Sequence, residues 1–381
     1  MLSPVKMAEK SELKFNFSFA SKFFTSHQKS STKTSMNSHK NLSFLTTLFL
    51  FITSNFFAQT KEIQRIDSLM KHSNSIGIFN GNVLVSKNSK IIYNASFGFA
   101  DASKNNKLTK ESRFHLGSIT KEFSAVALLQ LEEKGKLKLS DNVSKFIPEL
   151  PNWANEVTIK DLLQYTSGIP NVEWKKIKND QDIFNGLLSV EKLDFKPGTD
   201  YDYNNNNLFL RQLIIERLTG IPFKNYAENF IFKPLEMKSS VMTPFENEKN
   251  IAKGFKNNLT QDAPEIPITG GTYTTTSDLL KWANSLHSKK IVGKNSLFEL
   301  GKNFNIPDSQ SALGNAKFKN KKLIEHTHDG RAGSFEAILF SDLEKKITII
   351  LLSNNYNGKV AEISETINAI LQNKEFDFLE K

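Results

Sequence analysis

The chain is expected to fold as an α/β protein of the α+β type, with an antiparallel sheet formed by N- and C-terminal strands, flanked by helices, and an inserted mostly helical domain. Three observations carry that expectation. Two runs rich in β-branched and aromatic residues, Gly81–Ser86 and Lys90–Phe99, meet at Lys87-Asn88-Ser89 as a hairpin. Two more, Gly333–Phe340 and Lys346–Leu352, read as adjacent strands near the other end. Between them the pattern is mostly helical and looped. Strands at both ends of a helical centre most simply close into one sheet, and the cleft between sheet and insertion is where a site is expected.

Residues 1–35 are polar, Ser- and Lys-rich and unpatterned, and they precede a second methionine, Met36. They read as an extension that is untranslated or disordered, with Met36 as the alternative start. From Met36 the chain has the form of a secretory signal: a short basic start (His39, Lys40), an apolar run Leu42–Phe57, and Ala58 before Gln59 as a cleavage point. That run is shorter than the roughly 20 residues a spanning helix wants and is diluted by Ser and Thr, so export to the periplasm or beyond is the expectation, with a retained anchor over 42–57 as the alternative. Residues 59–381 are expected to form the folded part, with the sheet at about 59–115 and 320–381 and the insertion at about 135–300.

Ile63–Met70 has the stripe of a short amphipathic helix. After the hairpin, Phe114–Gly135 supplies a helix start at Ser118, an apolar stripe (Phe123, Val126, Ala127, Leu128, Leu131) and a stop at Lys134-Gly135. Further helices are expected at Ile159–Gln164, Asn206–Leu218, Phe223–Ile231, Ser277–Leu286 and Val360–Leu371.

Composition narrows the chemistry. There are no cysteines, which removes disulfides, thiol catalysis and Cys-ligated metals. The seven histidines are scattered except for His326 and His328, and no His-Glu-x-x-His occurs, so neither a metal nor any cofactor is expected. Of the net charge of +10, half lies in residues 1–58, which hold seven Lys and two acidic residues. Without a basic cluster interleaved with aromatics, the remainder reads as solvated surface and no nucleic-acid partner is expected.

The nucleophile must then be Ser, Thr, Lys or a carboxylate. Ser118 and Lys121 are one helical turn apart, which puts an amine within reach of a hydroxyl on one face, at a helix N-terminus that favours negative charge. The spacing alone means little, since Ser26–Lys29, Ser30–Lys33, Ser68–Lys71 and Ser189–Lys192 share it. Context distinguishes Ser118. Tyr203-Asn204-Asn205 follows the turn Lys196-Pro197-Gly198-Thr199 on a loop before a helix; Tyr203 beside a protonated lysine would favour its phenolate and act as a base, and Asn205 would orient a substrate. His328-Asp329-Gly330 precedes the Gly333–Phe340 run: His328 could line the cleft, Gly330 would let a substrate pass close to the backbone, and the Arg331 N–H could pair with that of Ser118 as an oxyanion hole. The plainer readings are a buried aromatic with a helix-entry turn, and a turn histidine without a task.

Taken in this order, Ser118–Lys121, Tyr203–Asn205 and His328–Gly330 resemble the Ser-x-x-Lys, Tyr-x-Asn and His-x-Gly motifs of the serine β-lactamase and penicillin-binding-protein superfamily. The branch is that of class C β-lactamases, serine-type D-alanyl-D-alanine carboxypeptidases, D-aminopeptidases and related esterases. The resemblance runs from about Asn80 to Leu371 and includes Thr158–Pro170, Phe195–Thr199, Ile214–Gly220, Phe232–Met237 and Gly270–Asp278. It implies a β-lactamase/transpeptidase-like fold and acyl transfer in which Ser118 attacks, Lys121 and Tyr203 carry protons, and Asn205, His328, Gly330 and Arg331 bind substrate. A small-molecule or peptide substrate, such as a cell-wall peptide or a β-lactam, a monomeric state and membrane contact only through the signal segment are the accompanying expectations. Asn204 where Ser is usual, Tyr165 where His is frequent, Glu236 in place of a common Gly, and Ser334 with Gly333 one place early put substrate identity in doubt more than catalysis. The expected function is an exported serine hydrolase of carboxypeptidase or esterase type, with a β-lactamase proper or a non-catalytic cell-wall-peptide binder as alternatives.

Overall fold

The computed structural model describes residues 61–171, 173, 176–243, 248–263 and 270–380. The expected extension, signal segment and cleavage point lie outside these residues. Ala58–Lys381 forms one compact unit, and among the described residues no helix is long and apolar enough to cross a membrane.

The unit opens with helix α1 over 61–75 and the hairpin β1 (Gly81–Lys87) and β2 (Lys90–Phe97). Asn88 and Ser89 both have positive φ, as a tight hairpin turn requires. Three short strands, β3 (Phe114–His115), β4 (Val241–Met242) and β5 (Thr272–Thr274), pair separately in the order β3-β5-β4. Near the C-terminus come β6 (Asn315–Lys319), β7 (Lys322–Ala332), β8 (Phe335–Asp342) and β9 (Ile347–Ser353). These join the hairpin in a six-stranded sheet, order β2-β1-β9-β8-β7-β6, with every pairing antiparallel. The strand from the start of the fold is thus zipped to the last strand, Gly81 opposite Ser353 and Lys87 opposite Ile347. The expected sheet of terminal strands is what forms.

Sheet strands present alternate residues to opposite faces, and here both faces are apolar. Val83, Val85, Ile349 and Leu351 pack beneath α1 and the C-terminal helix Val360–Leu371, through Ile66, Leu69, Ile363 and Ile367. Leu84, Ala337, Leu339, Ile350 and Leu352 face the helical middle of the chain. That middle contains α2 (Lys121–Glu133), α3 (Ile159–Gln164), α4 (Asp180–Leu188), α5 (Asn205–Thr219), α6 (Phe223–Ala227), α7 (Thr276–His287) and α8 (Lys294–Leu300), and the C-terminal helix is α9. The main hydrophobic cluster runs from these helices onto the sheet, so the helical segment shares its core with the sheet.

Three elements differ from the sequence expectation. Residues Lys121 to Leu129 of α2 are all buried, so it is a central helix and not an amphipathic one. The helix expected over Phe223–Ile231 stops at Ala227 and continues as a wider π turn, Glu228–Phe232. The third motif lies inside an eleven-residue strand, β7, with His326, His328 and Gly330 on its buried face and Asp329 and Arg331 exposed.

Candidate active site

Ser118 sits in a single 3₁₀ turn, Gly117–Thr120, between β3 and α2. β3 is pinned to β5, Phe114 opposite Thr274 and His115 opposite Tyr273, and His115 Nδ1 accepts the Gly117 amide at 2.8 Å. The turn is therefore held at both ends. Lys121 begins α2 and donates from Nζ to Ser118 Oγ at 3.1 Å. Only 5 % of Lys121 is exposed. Burial, and next the Arg211 guanidinium, pull its ammonium down to about 7, with Asp329 partly offsetting them. At neutral pH a large fraction of Lys121 is an amine able to take the Ser118 proton. Burial, with the Lys121 charge behind it, also lowers His115 to about 4, so that imidazole is neutral.

Tyr203 lies across from this pair, its ring centroid 4.8 Å from Lys121 Nζ and 4.6 Å from the ring of Tyr165. Its hydroxyl is buried and lacks a hydrogen bond of good geometry, yet it is near enough to the Ser118 side chain for that hydroxyl to favour its charged form. Burial, then Tyr165, outweigh this and push the phenol well above its usual range. The phenolate expected from the sequence is thus disfavoured: desolvation exceeds the pull of the Ser118 hydroxyl and of the Arg211 charge, and Tyr203 is a neutral phenol, able to donate.

Asn205, the first residue of α5, is exposed and lines the cavity. Asn204 is the N-cap, accepting the Asn206 and Asn207 amides and donating to Ile169 O at 2.7 Å and Asp202 at 2.8 Å. It holds the loop and, with Tyr203 and Asn205, lines the cavity.

Two glycines bring the third motif to the nucleophile. Gly117 has φ 56°, and a Cβ there would collide with the Arg331 amide. A Cβ on Gly330 would collide with Leu116 O and come within 3.0 Å of Ser118 N. The backbones of the turn and of β7 therefore touch, and the amides of Ser118 and Arg331 border one cavity of about 600 Å³. A pair of N–H groups at a nucleophile is the arrangement an oxyanion hole needs. The Arg331 guanidinium lies 3.7 Å from the centroid of the Tyr356 ring. Ile183, Leu208 and Phe209 make the apolar wall, with Asn171 and Gly270-Gly271 also lining the cavity.

His328 does not reach the cleft. It is 2 % exposed, outside the cavity lining, and joined through Nδ1 to Glu122 Oε1 at 2.7 Å. His326, two residues earlier on the same face, meets the same oxygen through Nε2 at 2.9 Å, and Trp282 Nε1 donates to Oε2 at 2.6 Å. His287 closes the chain, its Nε2 3.1 Å from His326 Nδ1. Burial would raise the Glu122 carboxyl, but the imidazoles of His326 and His328 prevail and hold it well below its usual range. A buried carboxylate is stable only with such partners, and this one ties the first turn of α2 to β7. Glu122, His326 and His328 also have the donor types of a metal site, their ligand atoms lying within 4.8 Å of one another.

The beta-lactamase family model matches residues 63–374. The chain belongs to that family. It is 30% identical over 327 residues to "Putative penicillin-binding protein PbpX" of Bacillus subtilis (strain 168), covering 82% of this chain and 80% of that protein. It is 28% identical to "Protein flp" of Staphylococcus aureus (strain MRSA252), covering 81% of this chain and 66% of that one. Among solved structures, the octameric penicillin-binding protein homologue from Pyrococcus abyssi aligns with a TM-score of 0.71 at 23% identity, over 82% of this chain and 78% of that one. A class C beta-lactamase aligns at 0.70 and 21%, over 84% and 98%. These likenesses establish the beta-lactamase-type serine hydrolase fold.

Within this beta-lactamase-family cleft, sequence reasoning missed Glu122, Arg211, Trp282 and the structural use of His115 and His328. Only the pair His326 and His328 carried a signal, two residues apart and so on one face of a strand. Their partner Glu122 is 204 positions away from His326, beyond any local pattern.

Proposed function

We propose that the protein is a serine hydrolase that cleaves an amide or ester through an acyl-enzyme on Ser118, of the carboxypeptidase or esterase type. The observation that carries this is the 3.1 Å contact from Lys121 Nζ to Ser118 Oγ, made by an amine lowered to about 7.

In this reading neutral Lys121 takes the Ser118 proton as Oγ attacks the acyl carbon. The carbonyl oxygen gathers charge against the amides of Ser118 and Arg331. The phenol of Tyr203 passes a proton to the leaving amine or alcohol and regains it from the lysinium. A water then attacks the ester on Ser118, its proton following the same relay in reverse. Asn205 orients an amide of the acyl donor, and the wall of Ile183, Leu208 and Phe209 favours an apolar group on it. Export and action on cell-wall peptides belong to the same proposal.

Hydrolysis of a short-chain p-nitrophenyl ester by the purified protein and by Ser118→Ala tests it. Turnover that disappears in the variant is expected. Equal inertness of two folded proteins would leave a peptide-binding cleft as the better reading.

A further inference from the structure

Arg211 lies in the middle of α5 with no exposed surface. Its Nε and Nη1 have no acceptor among the described residues, and Nη2 reaches the Tyr165 hydroxyl only at 3.4 Å. No described carboxylate pairs with it. A guanidinium cannot shed its proton in a protein, so a permanent charge is buried without a counter-ion among the described residues, an arrangement that a fold retains at a cost.

Its surroundings are ordered toward the nucleophile. The Arg211 Cζ stands 5.4 Å from the Tyr165 ring centroid, the Tyr165 ring 4.6 Å from that of Tyr203, and the Tyr203 ring 4.8 Å from Lys121 Nζ. Two basic groups therefore flank a pair of rings tilted against each other at 43°, and one of these groups, Lys121, touches Ser118. We propose that Arg211 is a positioning residue of the hydrolytic site: its buried charge, acting across Tyr165 and Tyr203, keeps Lys121 in the neutral form that accepts the Ser118 proton. The inference rests on the hydrolase reading above and adds what sets the ionisation of its base.

The other groups near this axis do not replace Arg211. β3 offers His115, a neutral imidazole, and β7 offers Asp329, which acts in the opposite sense. Glu122 of α2 is taken up by Trp282 and two imidazoles. On α5 itself, Glu216 accepts the Phe223 amide at 2.6 Å and Arg217 pairs with Glu149 at the surface, while α6 contributes the partly exposed Lys224. Of these, Arg211 is the cation enclosed with Lys121.

The test follows the rate at which a fluorophosphonate labels Ser118 from about pH 5 to about pH 10, where the acid limb reports the ionisation of the base. Wild type is compared with Arg211→Met and Arg211→Gln, two neutral variants that differ in packing, with Arg211→Lys, and with Arg217→Met as a control on the same helix. Charges on the order of 10 Å apart at an effective dielectric near 20 predict that both neutral variants move the limb up by roughly one pH unit. Labelling at about pH 6 then slows about tenfold while the alkaline plateau holds. Arg211→Lys should stay close to the wild-type midpoint, as should Arg217→Met. A purely structural role would lower the plateau and leave the midpoint in place. An unmoved midpoint in both neutral variants overturns the inference alone, and a wild type unlabelled at every pH overturns the hydrolase reading along with it.

Discussion

Replacing Glu122 by Gln separates the stability of this fold from its chemistry. Three donors converge on the wild-type carboxylate: Trp282 at 2.6 Å, His328 at 2.7 Å and His326 at 2.9 Å. The amide of Gln keeps one acceptor for the two imidazoles and turns its NH₂ toward Trp282 Nε1, so at least one buried donor loses its acceptor and the charge-assisted bonds to both imidazoles weaken. At about 1–3 kcal/mol for each orphaned group, and more where charge assists, the loss is about 3–5 kcal/mol, the usual cost of breaking a buried ionic network from one side. That is a large part of the roughly 5–15 kcal/mol that holds a domain folded. It predicts a fall in Tm of roughly 6–20 °C at about 2–4 °C per kcal/mol. Calorimetric melts at neutral pH measure it, and a Tm within about 2 °C of wild type would refute the reasoning. The pH dependence has a definite sign. The folded carboxyl titrates well below the ordinary 4.5, so its contribution is full above that value and drains away as the pH falls beneath it. The gap between wild type and variant should narrow in acid. Dialysis against a chelator should leave the wild-type Tm where it is, because these hydrogen bonds suffice; a drop would mean that the cluster holds a metal.

Tyr203→Phe should slow hydrolysis of an amide by about 10²–10⁴-fold while changing KM little, as loss of a proton carrier does; a mild effect in steady-state kinetics would make the ring purely structural. Gly330→Ala should abolish labelling of Ser118, because its Cβ would collide with Leu116 O and separate β7 from the nucleophile turn. Wild-type labelling in that variant would show that the contact is dispensable. His115 is lowered to about 4 from 6.5, so the stability it lends is present above pH 6.5 and lost as the pH falls toward 4. His115→Asn, which retains an acceptor for the Gly117 amide, should therefore lose less stability between those pH values in denaturant titrations, by up to about 3 kcal/mol.

The elements that can be read from the chain alone are those whose own residues hold the signal. β1 and β9 are runs of Val, Ile and Leu bounded by turns, and α5 and α7 carry N-caps, Asn204 and Thr275, that accept amides of their own first turns. The chain alone sets no strand bounds for β6 and β7, because Lys317, Lys319, Lys321 and Lys322 break any apolar alternation there, although Asn320 and Lys321 with positive φ make a tight turn between two strands. The buried face of β7 carries His326 and His328 where hydrophobes would announce a strand, and it tolerates them because Glu122 waits on the other side. Ser118, Lys121, Tyr203 and Asn205 were legible as motifs, since their spacing is local. Arg211 was not: α5 also carries Glu216 and Arg217, so nothing in its pattern marks Arg211 as a charge that faces inward, and only the packing of Tyr165 against Tyr203 shows why it does.

The pairing of β1 with β9 has a further consequence for how the protein comes into being. Residues 81–87 find their partner at 347–353, so β1 and β9 cannot zip until synthesis has passed residue 353. The Ser118 turn meets its β7 neighbours, Gly330 and Arg331, only a little earlier. A chain emerging from the ribosome would therefore carry its nucleophile in an inert state until β7 has followed it. Such distant partners fold slowly. Chemical competence would then arrive last, as a property of the finished molecule.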